Sequence, residues 1–140
     1  MTDPSLRDRR EAVVREHMDS ENTLDFDRTL ETFAHPRYEL VATGQVFDGA
    51  EEVMGYYRGS RRSFPDQRND NVVLRHTDDG VIVEFDLKGT HLGRFRGHEP
   101  TGRDFTCPMI ALFLFEGDRI ALERVYFDAA TIARQLGLQG

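Results

Sequence analysis

Asp128 has the most specific setting of any carboxyl in this 140-residue sequence. It closes an alternating run from Arg119 to Phe127 and precedes Ala-Ala-Thr-Ile, the make-up of a helix N-cap. Alternation places Arg124, Tyr126 and Asp128 on one face of that run. A two-residue turn at Gly117-Asp118 would pair Phe113 with Leu122, Met109 with Tyr126 and Cys107 with Asp128, which brings Cys107 and Met109 to the same surface. Cys107 is then a small apolar neighbour, with no His–Cys motif to make it a nucleophile. Among the histidines, His91 follows the Phe85–Leu87 face across Gly89, His17 lies on the apolar stripe of the first helix, and His98 sits in an exposed Gly-rich loop. Tyr56 and Tyr57 offer phenols that can orient a ketone or simply pack. No His pair has metal-ligand spacing on a helix, His91 and His98 with Glu99 form a metal set only by chance, and no Gly-rich nucleotide loop or Gly-x-Ser-x-Gly elbow occurs. No metal and no cofactor is expected.

The elements that must hold these groups follow from periodicity. Leu6, Val13, Val14, His17 and Met18 recur at helical spacing, which predicts a helix over about 5–21. Asp25 is placed to cap a short second helix with Phe26, Leu30 and Phe33 inward, ended by His35-Pro36. Tyr38 to Val46 reads as a strand interrupted at Gly44. Asp48-Gly49-Ala50-Glu51 has capping-box spacing and opens a third helix with Val53, Met54, Tyr56 and Tyr57 buried. Beyond Pro65 the period changes to two. Asn69 to Asn71 reads as a polar connection, Val72 to His76 as a strand, and Asp79-Gly80 as a hairpin turn. Val81, Val83, Phe85 and Leu87 then face one way, and Ile82, Glu84, Asp86 and Lys88 the other. Cys107 to Phe115 is apolar on both faces, Arg119 to Phe127 returns beside it, and a last helix spans Ala129 to Leu136 with Gly137 as its stop. Segregated helices and a meandering antiparallel sheet make an α+β domain. A strand apolar on both faces needs cover on both. Helices supply one side and a second copy of the chain the other, so a homodimer through the outer sheet face is predicted.

The charge balance, 18 basic against 25 acidic residues, gives a net of −7. Such a chain repels nucleic acid and anionic membranes overall, so neither is an expected partner. The single cysteine excludes an internal disulfide and fits a reducing compartment. Met1 to Arg10 is polar, without a signal-peptide core, and no run approaches the roughly 18 apolar residues of a spanning helix. One cytoplasmic domain over residues 1–140 is expected.

Four stretches in order carry a resemblance: Val46-Phe47-Asp48-Gly49, Gly89-Thr90-His91-Leu92-Gly93, Pro100-Thr101-Gly102-Arg103, and Glu123 to Asp128 followed by Gln135-Leu136-Gly137. Together they resemble the SnoaL-like polyketide cyclase and ester cyclase branch of the nuclear transport factor 2-like superfamily. The resemblance implies a cone-shaped, cystatin-like α+β barrel, its curved antiparallel sheet wrapped around N-terminal helices. It also implies an apolar pocket for a small apolar molecule. Asp128 takes the place of the general acid/base at the end of the last strand, where a dry site raises a carboxyl pKa. The partner histidine of such cyclases is missing from Pro108–Phe115, and His91 is the substitute ahead of His17. His17, Tyr56, Tyr57, Cys107, Met109, Arg124 and Tyr126 are the expected ligand contacts. The implied function is cofactor-independent cyclase or isomerase chemistry on a polyketide-like carbonyl compound. The alternative is a non-catalytic ligand-binding or dimerisation module. A ketosteroid isomerase acid on the first strand is poorly matched by Glu39, and an epoxide hydrolase Asp-Arg-Asp set finds only Arg124 and Asp128.

Overall fold

The computed structural model describes residues 4–138, so the opening Met1–Asp3 of the polar N-terminus and the closing Gln139-Gly140 lie outside it. Helix α1 (Pro4–Asn22) turns its stripe of Val14, His17 and Met18 inward, as their spacing requires. Arg10 on the same stripe is also buried. It donates to the carbonyls of Gly117 at 2.8 Å and Asp78 at 3.2 Å, which ties α1 to two hairpin turns. Helix α2 (Phe26–Glu31) is capped by Asp25, whose carboxylate accepts from the Arg28 N–H. The expected strand at Tyr38–Val46 is instead a hairpin, β1 (Arg37–Leu40) and β2 (Gln45–Asp48), which turns through Gly44 at φ +72°. Helix α3 (Ala50–Ser63) starts from Gly49, at φ +92°, one residue later than the capping box suggests. Glu52 reaches back instead, and accepts from the Asp48 N–H at 2.9 Å.

Strands β3 (Arg68–His76), β4 (Gly80–Thr90), β5 (Asp104–Glu116) and β6 (Arg119–Tyr126) form the antiparallel meander. Asn69–Asn71, expected as a connection, belongs to β3, which bulges between Asp70 and Val73. The whole sheet runs β2-β1-β6-β5-β4-β3, with β1 parallel to β6. This six-stranded curved, unclosed sheet with helices in its hollow is the α+β cone that the resemblance implied. No helix among the described residues is long and apolar enough to cross a membrane.

One register differs from the two-residue-turn expectation. A bulge between Leu114 and Phe115 shifts the β5–β6 ladder by one, so Phe113 faces Glu123 and Tyr126 faces Ile110. A one-residue slip reverses which side each residue presents. Glu123 and Val125 therefore point into the hollow, while Arg124 and Tyr126 lie outside.

Helix α4 (Ala129–Leu136) packs on β5. The Gln135 side chain accepts from the Thr106 N–H at 2.7 Å and donates to the Thr106 carbonyl at 2.9 Å. Asp128 is its N-cap: the carboxylate accepts from the Ala130 N–H and the Thr131 hydroxyl, both at 3.1 Å. Gly137 closes the helix at φ +73°. Asp128→Ala should therefore cost about 0.5–2 kcal/mol in urea unfolding, and Asp128→Asn almost nothing, because Asn caps as well. Equal losses in both variants would contradict the capping role.

Candidate active site

Between the helices and the concave sheet lies a cavity of about 300 Å³, at the lower end of the range for small-molecule sites. Phe64, Phe85, Leu87, Phe105, Met109 and Phe127 supply most of its apolar wall. Tyr38 and Tyr56 bring rings and hydroxyls, and stack edge to face at 4.9 Å. Burial pushes the phenols of Tyr38, Tyr56 and Tyr57 above their ordinary range, so all three stay protonated. The Tyr57 hydroxyl is buried without a hydrogen-bond partner among the described residues.

Two carboxylates interrupt this wall. Glu123 enters from the inner face of β6 and Glu21 from the last turns of α1. His17, fully buried behind them, sets its Nε2 at 2.9 Å from Glu123 and 3.9 Å from Glu21. Its Nδ1 lies 2.8 Å from the Thr32 hydroxyl, and that hydroxyl donates to the Thr29 carbonyl at 2.6 Å. The threonine proton is thus committed, so His17 Nδ1 carries a hydrogen and donates. Phe33 and Phe113 hold the ring edge to face at 5.3 and 5.1 Å. Burial opposes the imidazolium, but the Glu123 and Glu21 carboxylates outweigh it, and His17 is raised above 6.5. Glu21 is raised as well, because burial and the nearby Glu123 charge exceed the help from His17, Arg61 and the Asn69 amide. Asn69 donates to Glu21 at 3.2 Å. His17 is thus held between two acidic side chains that raise its affinity for a proton, and burial beside Glu123 raises that of Glu21.

One ligand atom from each of His17, Glu21 and Glu123 lies within 4.8 Å of the others, so a cation could be held here. The His17–Glu123 hydrogen bond satisfies that pair without one.

The sequence-derived candidates divide. Tyr56 and Met109 line the cavity, and His17 backs its acidic wall. Tyr57 packs beside Tyr56 and Phe26, off the lining. Cys107 is buried off the lining too, and burial raises its thiol, which stays protonated. His91 is fully buried behind Phe64 and Phe95; its Nδ1 accepts from the Thr101 N–H at 3.2 Å, and its Nε2 has no partner among the described residues. Arg124 lies on the outer sheet face, bonded to Glu39 at 2.8 Å, with Tyr126 on the same side. Asp128 is exposed at the head of α4, outside the cavity lining.

Glu21 and Glu123 escaped the sequence reading, although both left a trace. Glu21 follows His17 by four, one turn further along the apolar stripe. Glu123 shares its strand parity with Val125 and Phe127, a carboxyl among apolar neighbours.

The raised His17 fixes a sign. Its folded-state gain is complete below the ordinary value of 6.5 and is lost as pH climbs through the folded pKa. The stability advantage of the natural protein over His17→Asn should be greatest below that pH and shrink above it. NMR titration of the His17 ring should give a midpoint above 6.5; a midpoint below it would contradict the clamp.

The chain matches the SnoaL-like polyketide cyclase family over residues 11–136. No curated protein matches the sequence. A candidate SnoaL-like polyketide cyclase from Jannaschia sp. CCS1 superposes with a TM-score of 0.86 at 19% identity, covering 100% of this chain and 99% of that one. IdmH, a candidate polyketide cyclase from Streptomyces antibioticus, gives 0.79 at 25% identity, covering 92% and 99%. A Catenulispora acidiphila protein with a ketosteroid isomerase-like fold, solved with trimethylamine, gives 0.79 at 19% identity, covering 91% and 93%. The protein therefore belongs to the SnoaL-like polyketide cyclase family and has its nuclear transport factor 2-like fold.

Proposed function

We propose that the protein is a cofactor-independent cyclase- or isomerase-type enzyme of the cytoplasm, working by acid/base chemistry on an apolar, polyketide-like carbonyl compound. The observation that carries this reading is the buried His17–Glu123 hydrogen bond in the wall of a largely apolar cavity. Glu123, bonded to the His17 ring, takes the proton from the carbon beside the substrate carbonyl. Glu21, with its raised affinity for a proton, donates to the carbonyl oxygen as charge develops there. The resulting enol has two outcomes. It attacks a second carbonyl of the same molecule and closes a ring by a carbon–carbon bond, its O–H proton returning to Glu21 while the new alkoxide takes the proton held by Glu123; or Glu123 returns that proton to another carbon and Glu21 recovers the O–H proton. Tyr38 and Tyr56 are placed to orient the carbonyl. Asp128 as a cap and His91 behind its phenylalanines stay clear of the substrate in this scheme. The exposed position of Asp128 favours the second reading, a ligand-binding module without turnover.

Deuterium exchange at the α carbon of 2-tetralone, followed by NMR, separates the two. The natural protein should accelerate exchange, and Glu123→Gln should lower the rate by about 10²–10⁴-fold while leaving tetralone binding intact. Binding without any acceleration would leave the binding module standing.

We also propose a homodimer through the outer sheet face. Val73, Ile110 and Tyr126 are 46%, 42% and 43% exposed there, on strands paired through Glu84. The ion pairs Arg75–Glu84 and Arg124–Glu39 lie on the same face. Light scattering at micromolar concentration should give twice the 16.1 kDa of one chain, and Ile110→Asp should halve that mass. A monomeric natural protein would overturn the dimer.

A further inference from the structure

The arginines without a counter-charge gather in one place. Elsewhere each arginine meets a carboxylate or, for Arg10 and Arg119, backbone carbonyls. Among the described residues, Arg58, Arg61, Arg62, Arg96 and Arg103 have no carboxylate within ion-pair distance. All fall in segments 53–65 and 88–103. These segments hold seven basic residues against one acid, Glu99, in a chain whose net is −7. Lys88 pairs with Asp70, Arg94 with Glu99, and Asp66 and Asp104 bond Thr90, which leaves the five arginines as the excess positive charge.

The two segments form one surface. The N–H groups of Leu92 and Gly93 both donate to the Ser63 carbonyl, at 3.1 and 3.0 Å, and the Ser63 hydroxyl donates to the Arg94 carbonyl at 2.7 Å. A side chain at Gly93 would collide with the Arg62 carbonyl, so the approach depends on glycine. From this surface Arg61 and Arg96 both line the cavity. Arg96 occupies the tip of a two-residue turn, in which Phe95 and His98 exchange backbone hydrogen bonds at 3.0 and 2.8 Å. The tip residues Arg96 and Gly97 have φ of +48° and +79°, the mirror-type turn that ordinarily takes Asn-Gly. An arginine held in the left-handed region is a costly choice for a bare turn, and such outliers mark places where the side chain has a use. Its guanidinium lies 4.9 Å over the ring of Phe95, itself part of the cavity wall.

We propose that the cavity mouth is an anion subsite: the ligand carries an acidic oxygen group that Arg96 receives, with Arg61 adding charge from the facing segment, while its apolar body fills the cavity. This rests on the cavity being a ligand site and adds the class of ligand. A guanidinium offers parallel N–H donors that match a carboxylate, sulfonate or phosphate edge. The net field of the two segments draws such a group to this end of an acidic protein.

Two fluorescent probes test it: 1-anilinonaphthalene-8-sulfonate and N-phenyl-1-naphthylamine, the same ring system without the sulfonate. The natural protein should bind the sulfonate probe roughly fivefold more tightly than the neutral one, the strength of a partly exposed ion pair. Added salt should erode that preference. Arg96→Asn keeps the left-handed turn; it should abolish the preference and leave the neutral probe's affinity unchanged, which also reports an intact fold. Arg75→Gln, on the outer sheet face, should keep the preference. Equal affinity for the two probes, or a preference that survives Arg96→Asn, would overturn the subsite. Binding of the sulfonate probe alone, abolished by Arg96→Asn, would support the subsite and defeat the apolar-cavity reading. Failure of both probes would overturn both.

Discussion

The imidazole of His17 joins two elements whose contacting residues are 106 positions apart in sequence, the inner stripe of α1 and the inner face of β6. The surrounding core has to accommodate that bridge. Taking a carboxylate and an imidazolium out of water costs several kcal/mol per ion, and close pairing returns this only when the remaining polar atoms are also bonded. Here Thr32 takes the Nδ1 hydrogen, Asn69 serves Glu21, and the edges of Phe33 and Phe113 fix the ring plane. Thr32 in turn bonds to the Thr29 carbonyl, so α2 is positioned by the same network. An apolar pair of similar volume would join α1 to β6 at less cost.

The aromatic residues explain why there is a cavity at all. Tyr38, Tyr56, Tyr57, Phe47 and Phe26 pack against one another at centroid distances of 4.9–6.4 Å, and Phe64, Phe95 and Phe105 form a second group at 5.0 Å. The second group meets edge to face, at 61° and 73°, whereas Phe26 stacks on Tyr57 at 23°, and these large rings supply much of the wall between helices and sheet. The concave face of β4 and β5 adds Phe85 and Met109 between these groups. Burial beside these rings raises the proton affinity of Glu21, one of the two carboxyl groups that reach the space.

Much of the fold was legible in the sequence because periodicity reports burial directly. Helix α4 with its Asp128 cap and Gly137 stop, and the alternation of β4, needed nothing beyond spacing. The interruption at Gly44 was visible, though not that it folds the segment back as a hairpin, and the bulge at Leu114–Phe115 left no periodic trace. The bulge mattered most. It reversed the assignment of β6, directing attention to Arg124, Tyr126 and Asp128 on the outer parity instead of Glu123 on the inner one. A bulge is a three-dimensional accommodation between strands, and a single strand's sequence does not encode it. His17 was recognised on its stripe, but its partner on β6 is a tertiary neighbour that local spacing does not reach.

The same bulge shows why β6 can serve two environments. With Glu123 and Val125 inward, the strand's outer parity, Arg124 and Tyr126, is free to meet Glu39 on β1 and Ile110 on β5. Bonding to Arg124 and Arg37 holds the Glu39 carboxyl below its ordinary range, so this outer glutamate stays ionised in water. Glu21, facing the hollow with few donors, moves the other way. Two glutamates on one scaffold are thus driven apart in proton affinity by geometry alone: surface arginines fix one as an anion, and burial beside a second carboxylate poises the other to exchange its proton. The difference follows from position: Glu39 lies on the outer face of the sheet beside two arginines, and Glu21 on the inner side of α1 beside Glu123.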